Sequence, residues 1–310
     1  MNEIDQIRIN FSSGELFTLD IALAIIMFGV ALDIQSVDFK RLLQQPKIVL
    51  TGILSQFILM PALTFLIVII AKPAPSIALG LIMVGACPGG NVSNYMSKLA
   101  KANPALSVSL TAFATLISVV MTPFNFEFWG SMYAPTRQLL KEVSLDPFAL
   151  AKLVSLILGV PLVAGMLVRH YLPVWAEKIG KLLKPLSFLF FLILLVLAFH
   201  QNWDIFNKHI HYVFWIVVIH NLLAYVLGFQ TARIFKLEFR ERKTLAIETG
   251  IQNSGLGLLL IFGFFQGLGG MALLAAFWGV WDILSGLLLA FYWGMRENKE
   301  LAKIQKRTDL

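Results

Sequence analysis

Apolar residues run through this chain in long continuous stretches, and polar residues gather in the short segments between them. A bilayer core of about 30 Å is crossed by roughly 20 mostly apolar residues in helical form. Nine stretches fit that ruler, at about 16–35, 48–70, 77–101, 103–124, 148–170, 185–200, 210–235, 244–266 and 271–294. In lipid only helices and closed barrels satisfy their own backbone groups. Barrel strands would alternate at period two, and these runs do not. The pattern therefore predicts an all-α polytopic membrane protein of nine transmembrane helices, a single membrane unit over residues 1–310.

Two of the nine break the pattern from within. The third reads IALGLIMVGACPGGNVSNYMSKLAK, with Pro88, Gly89 and Gly90 at its centre and Asn91, Ser93 and Asn94 directly after. The eighth reads TLAIETGIQNSGLGLLLIFGFF, with Glu248, Gly250, Gln252, Asn253, Ser254, Gly255 and Gly257. Proline removes a donor from a helix and clashes with the preceding turn, and each glycine costs about 1 kcal/mol. Irregular backbone at membrane depth is tolerated only where protein buries it or a cavity borders it. Helices 1–4 match helices 6–9 in order with opposite sense, and the third pairs with the eighth. Interrupted helices at matching places in an inverted repeat point to a substrate and ion site near the midplane. A packing kink would explain one such break; it explains two less well.

Charge fixes the orientation. Of the 25 Lys and Arg residues, 19 fall on one side when nine helices alternate, in segments that include Lys98, Lys101, Lys178, Arg240, Arg242, Lys243 and Arg296. The positive-inside rule places that side in the cytoplasm, with the N-terminus outside and the C-terminus cytoplasmic, in a multi-pass protein of the cell (inner) membrane. The pI near 9.5 is explained by this asymmetry, so the expected environment is a lipid bilayer and no nucleic-acid partner is expected. Composition agrees, at 58% hydrophobic, 14% charged and a mean hydropathy of +0.77. The opening MNEIDQIRINFSSGE lacks a basic n-region and a small-residue cleavage site, so the first apolar stretch is expected to stay as a helix. Cys87 is the one cysteine and reads as a small core residue. Trp129, Trp175, Trp203 and Trp293 fall near span ends, as an interfacial belt requires, while Trp215, Trp278 and Trp281 read as packed mid-span residues.

Glu248 carries the chemistry. An acid at that depth costs several kcal/mol unless it is protonated, hydrogen-bonded or paired with a cation, and no Lys or Arg lies at similar depth in any span. Hard cations prefer oxygen ligands, and oxygens surround the breaks at Ser93, Asn94, Gln252 and the freed carbonyls. Ser107, Thr111 and Thr115 recur every fourth residue and share one face of the fourth span. Helix packing would also account for that face, and an interhelical hydrogen bond for Gln56. His220 and Asn221 read as a packed, hydrogen-bonded pair, and Asp20 as an interfacial residue.

The runs CPGGNVSN, ANPALSVSLTAFATLISVVMTP and ETGIQNSGLG resemble the bile acid:sodium symporter family over nearly the whole chain. The resemblance implies two broken helices that cross, in a core domain of the spans at 48–70, 77–101, 103–124, 210–235, 244–266 and 271–294. It implies a panel domain of those at 16–35, 148–170 and 185–200. It implies secondary active transport by alternating access, with two Na+ as coupling ions, no cofactor and an organic anion, bile-acid-like or a small carboxylate, as substrate. One sodium site would use Ser93, Asn94, Ser107, Thr111 and Glu248. The second would use Gln56, Glu248, Gln252 and the backbone carbonyls of Thr249 and Ile251. Substrate would meet Asn91 and Asn253 near the crossing, with Asp282 and Ile283 from the last span. There the chain departs from its relatives, because Trp281-Asp282-Ile283-Leu284-Ser285-Gly286 stands where many carry Trp-His-Asn-Ile-Ser-Gly. Asp282 is expected to face the core domain, near groups such as His220, with direct contact to the ligand as the alternative. A sodium-independent or proton-coupled anion carrier is the rival function. A channel would need a continuous polar pore, and a membrane enzyme would need a nucleophile–base pair or a metal-ligand spacing; the sequence presents neither pattern.

Overall fold

Among the described residues five helices begin on proline, whose fixed φ suits the first turn and whose missing N–H has no partner there in any case. The computed structural model describes residues 3–7, 21, 24–29, 31, 32, 34, 37, 40, 44–142, 147–201, 203–265 and 267–308. Asp20 and most of the stretch expected at 16–35 lie outside the described residues. The described chain is nearly all helical: α1 (Glu3–Gln6), α2 (Pro46–Ala71), α3 (Pro75–Ala86), α4 (Val92–Leu99), α5 (Pro104–Met132) and α6 (Ala134–Glu142). After these come α7 (Pro147–Tyr171), α8 (Pro173–Gln201), α9 (Trp203–Ile234), α10 (Phe239–Gly250), α11 (Ser254–Phe265) and α12 (Gly269–Thr308). Among the described residues, α2, α5, Val213–Ile234 and Gly269–Glu297 are long and apolar enough to cross a bilayer, and α3 and α11 are shorter apolar helices.

The interrupted helices form the interior. Every residue from Ser76 to Ala86 is buried, as is every residue from Lys243 to Gly250. The long helices instead show apolar side chains outward, among them Leu50, Ile70, Val120, Leu222 and Leu288, as lipid-facing surfaces require. Trp215 belongs to that surface. It is 66% exposed, so the expectation that it packs mid-span is corrected, whereas Trp278 is fully buried.

Prolines inside helices leave carbonyls without their helical donors, and at Pro61 and Pro123 neighbouring helices supply replacements. Pro61 cannot donate to Phe57, whose carbonyl accepts from Asn125 Nδ2 on α5 at 3.1 Å. Just before it, Leu54–Leu59 of α2 widens into a π-helical turn, a form found often at functional positions. Pro123 leaves Val119 free, and Ser155 Oγ on α7 donates to that carbonyl at 2.9 Å.

The N-terminal segment lies over two helix starts. Asp5 Oδ1 accepts from the Ser76 amide at 2.8 Å, and the Gly269 amide donates to the Ile7 carbonyl at 2.9 Å. At the opposite end, Arg240 and Lys243 of α10 meet Glu297 of α12.

Candidate functional site

The breaks at 87–91 and 251–253 meet backbone to backbone. The Gly90 amide donates to the Ile251 carbonyl at 2.9 Å and the Asn253 amide to the Pro88 carbonyl at 2.8 Å, with Gly89 and Gln252 paired as an antiparallel bridge. Only glycine permits this approach: a Cβ on Gly89 would lie 2.7 Å from Glu248 Oε1, and one on Gly90 would lie 2.9 Å from the Gln252 carbonyl. Side chains satisfy other carbonyls that the breaks release. Thr122 donates to Ala86 at 2.9 Å, Gln56 to Cys87 at 2.9 Å and Asn221 to Gly250 at 2.8 Å. This accounts for irregular backbone at depth, since each released acceptor must find a donor.

Glu248 stands in the last turn of α10 and is 5% exposed. Its Oε2 accepts from Ser93 Oγ at 2.7 Å and from Ser107 Oγ at 3.1 Å, and its Oε1 from Thr111 Oγ1 at 2.6 Å. Ser93 opens α4, while Ser107 and Thr111 sit one turn apart on α5, so three helices converge on one carboxyl group. Asn94 joins through Oδ1, which lies 3.2 Å from Thr111 Oγ1. Thr115 is buried a turn further along, with Ser118 bonded to its backbone carbonyl. The end of a helix is the wrong place for an anion, because its macrodipole is negative there. A carboxylate held at that end by neutral hydroxyls is a setting for a bound cation.

A second group of oxygens adjoins it. Gln56 Nε2 donates to Gln252 Oε1 at 2.9 Å, Gln252 Nε2 to the Thr249 carbonyl at 2.7 Å, and the hydroxyls of Ser55 and Thr249 lie 2.8 Å apart. Gln56 Oε1 is buried without a hydrogen-bond partner. An orphaned buried acceptor is rare, and a cation would fulfil it. The Thr249 and Ile251 carbonyls each accept one bond and keep a second lone pair. Gln56 and Glu248 line the same small cleft, bounded also by Gly52, Leu110, Phe113 and Leu245.

The other expected residues are less closely joined. Asn91 is exposed and makes no capping bond with its side chain, whereas Asn253 caps α11 by accepting from the Leu256 amide at 3.0 Å. Ile283 is half-buried against a cluster that includes Met96, Tyr225 and Ile251. Asp282 is buried at 3% exposure. His220 does not pair with its neighbour: its Nε2 lies 2.7 Å from Thr64 Oγ1, while Asn221 serves the Gly250 carbonyl. Sequence reasoning missed Ser55, which lies in the π-helical turn beside Gln56, and Tyr225, whose hydroxyl lies 3.1 Å from Ser285 Oγ. It also counted Lys243 only as a cytoplasmic charge, although this residue is 1% exposed.

Long apolar helices around two interrupted ones, joined at a buried acid among neutral oxygens, define a polytopic membrane protein. The chain belongs to the sodium bile acid symporter family, whose model matches residues 20–209. It is 34% identical over 301 residues to the uncharacterized sodium-dependent transporter YocS of Bacillus subtilis (strain 168), covering 95% of this chain and 90% of that one. The human ileal sodium/bile acid cotransporter is 30% identical over 242 residues, 77% of this chain and 67% of its own. The probable sodium/metabolite cotransporter BASS2, chloroplastic, of Oryza sativa subsp. japonica is 28% identical over 246 residues, 79% of this chain but 56% of its own greater length.

Proposed function

We propose that this protein is a sodium-coupled symporter that carries an organic anion across the cell membrane by alternating access. The observation that carries this reading is the Glu248 carboxyl group, which takes three hydroxyl hydrogen bonds where two broken helices join. One sodium ion binds among Ser93, Asn94, Ser107, Thr111 and Glu248. A second binds among Gln56, Glu248, Gln252 and the Thr249 and Ile251 carbonyls, where the orphaned Gln56 oxygen supports it. Their charges offset the carboxylate and the negative ends of α3 and α10, both of which terminate at the crossover. The N-termini of α4 and α11 begin there and attract the anion, with Asn91 and Asn253 beside it.

The reading includes nine spans in an inverted repeat, a core domain that holds the crossover and a panel domain against which it moves. The N-terminal segment meets the starts of α3 and α12, while Lys243, Arg240 and Glu297 gather at the other end. An external N-terminus and a cytoplasmic C-terminus fit that division. A proton-coupled or sodium-independent carrier would use the same acid without the neutral oxygens around it. The test is a thermal-shift screen of organic anions on the purified protein with and without sodium. Ligands that stabilise only in sodium are expected; stabilisation indifferent to sodium would overturn the coupling.

A further inference from the structure

Lys243 is 1% exposed and stands five residues before Glu248 on the same helix. An ammonium has three donors, and all three are engaged: Nζ bonds the Ala100 carbonyl at 2.8 Å, the Lys101 carbonyl at 2.9 Å and Glu297 Oε2 at 2.6 Å. The next residue grips the same loop, because Thr244 Oγ1 accepts from the Asn103 amide at 2.9 Å. Residues 100–103 are the whole connection between α4, which carries Ser93 and Asn94, and α5, which carries Ser107 and Thr111. Asn103 in turn caps α5 by accepting from the Leu106 amide at 3.1 Å.

The loop is also strained at the point that Lys243 holds. The Lys101 amide bonds Lys98 at 3.2 Å and the Ala102 amide bonds Ser97 at 2.9 Å, which is the double bond pattern of a glycine-terminated helix end. Here a lysine occupies the left-handed position, at φ 51°. A side chain in that conformation is sterically disfavoured, and such strain persists where the surroundings hold it in place. With eight residues, α4 is two turns long and is placed by what fixes its two ends: the crossover at one, Lys243 at the other.

We propose that Lys243, assisted by Thr244, is a positioning residue for the ion site: it pins the 100–103 loop to the helix bearing Glu248 and so sets the distance between the hydroxyl groups and the carboxylate. This deepens the sodium reading given above and rests on it. Groups that orient metal ligands without touching the metal typically change its affinity about 10–100-fold when removed.

The experiment is radioactive sodium binding to the purified full-length protein in lipid nanodiscs, which yields the dissociation constant and the number of sites per folded molecule separately. Lys243→Met is expected to raise the sodium Kd about tenfold or more with the number of sites unchanged. A purely structural role would reduce the number of competent molecules and leave their Kd alone, and that result would overturn the proposal. If Lys243→Met does not fold, Thr244→Val decides, since it deletes one hydroxyl bond to the loop at similar volume. It is expected to raise Kd about three- to tenfold, and an unchanged Kd overturns the proposal. A wild-type protein that binds no sodium overturns the underlying reading instead, so the two failures are distinguishable.

Discussion

Replacing Glu248 by Gln keeps the shape of the side chain and removes its charge. The three hydroxyls that now donate to the carboxyl group can turn, since each is donor and acceptor, so Ser93 and Ser107 can accept from the new amide where they donate to Oε2. The fold should therefore survive, with a melting temperature close to that of the parent in the absence of sodium. Sodium binding should not survive. Glu248 is the one carboxylate common to both proposed sites, and its 5% exposure leaves little water to replace it. Removing one partner of a buried charge pair costs about 3–5 kcal/mol, which corresponds to roughly two to four decades in sodium affinity. Gln252→Ala and Asn94→Ala each remove one neutral oxygen, worth about 0.5–1.5 kcal/mol, and should weaken sodium roughly three- to tenfold. Sodium titrations of the three variants, read by binding or by sodium-dependent melting, test the ranking. A Glu248→Gln protein whose sodium affinity stays within about threefold of the parent would refute the two-site assignment, because that change is under 1 kcal/mol.

Gly89→Ala places a Cβ 2.7 Å from Glu248 Oε1 and 3.0 Å from the Glu248 carbonyl, and should destabilise the crossover by about 1–3 kcal/mol; an unchanged thermal melt would show that the breaks are not held as described. Ile283→Asn restores the amide that many relatives carry and should shift preference across a panel of organic anions. Asp282→Asn, at a buried position, should alter the melting temperature more than selectivity, and the reverse pattern would place Asp282 in the substrate pocket. Tags on the two termini should be accessible on opposite faces of intact cells, and finding both on one face would remove the nine-span reading.

Features with a steric cause were easiest to read from the sequence. Pro88, Gly89 and Gly90 announce a break because no helix accommodates them cheaply, and Glu248 stands out because lipid penalises an acid. The spacing of Ser107 and Thr111 put both hydroxyls on one face, and the structure brings both to Glu248. What escaped depends on tertiary partners. The π-helical turn at Leu54–Leu59 has no breaker within it; it lies just before Pro61, and Asn125, far along the chain, donates to the Phe57 carbonyl inside it. Trp215 and Trp278 lie on one helix each in similar apolar surroundings, yet one faces outward and the other is enclosed. Lys243 was counted only as charge, because nothing local reveals that its ammonium reaches two carbonyls on a loop more than a hundred residues away.

The central claim is coupling between sodium and an organic anion, and uptake into proteoliposomes measures it directly. Two sodium ions with one monovalent anion carry a net positive charge inward, worth about 2.3 kcal/mol per 100 mV, and a tenfold sodium gradient adds roughly 1.4 kcal/mol per ion. An anion found in the thermal-shift screen should accumulate above its external concentration only under an inward sodium gradient, and faster under an inside-negative potassium–valinomycin potential. Uptake that merely equilibrates, or that a proton gradient drives with sodium absent, would contradict the account.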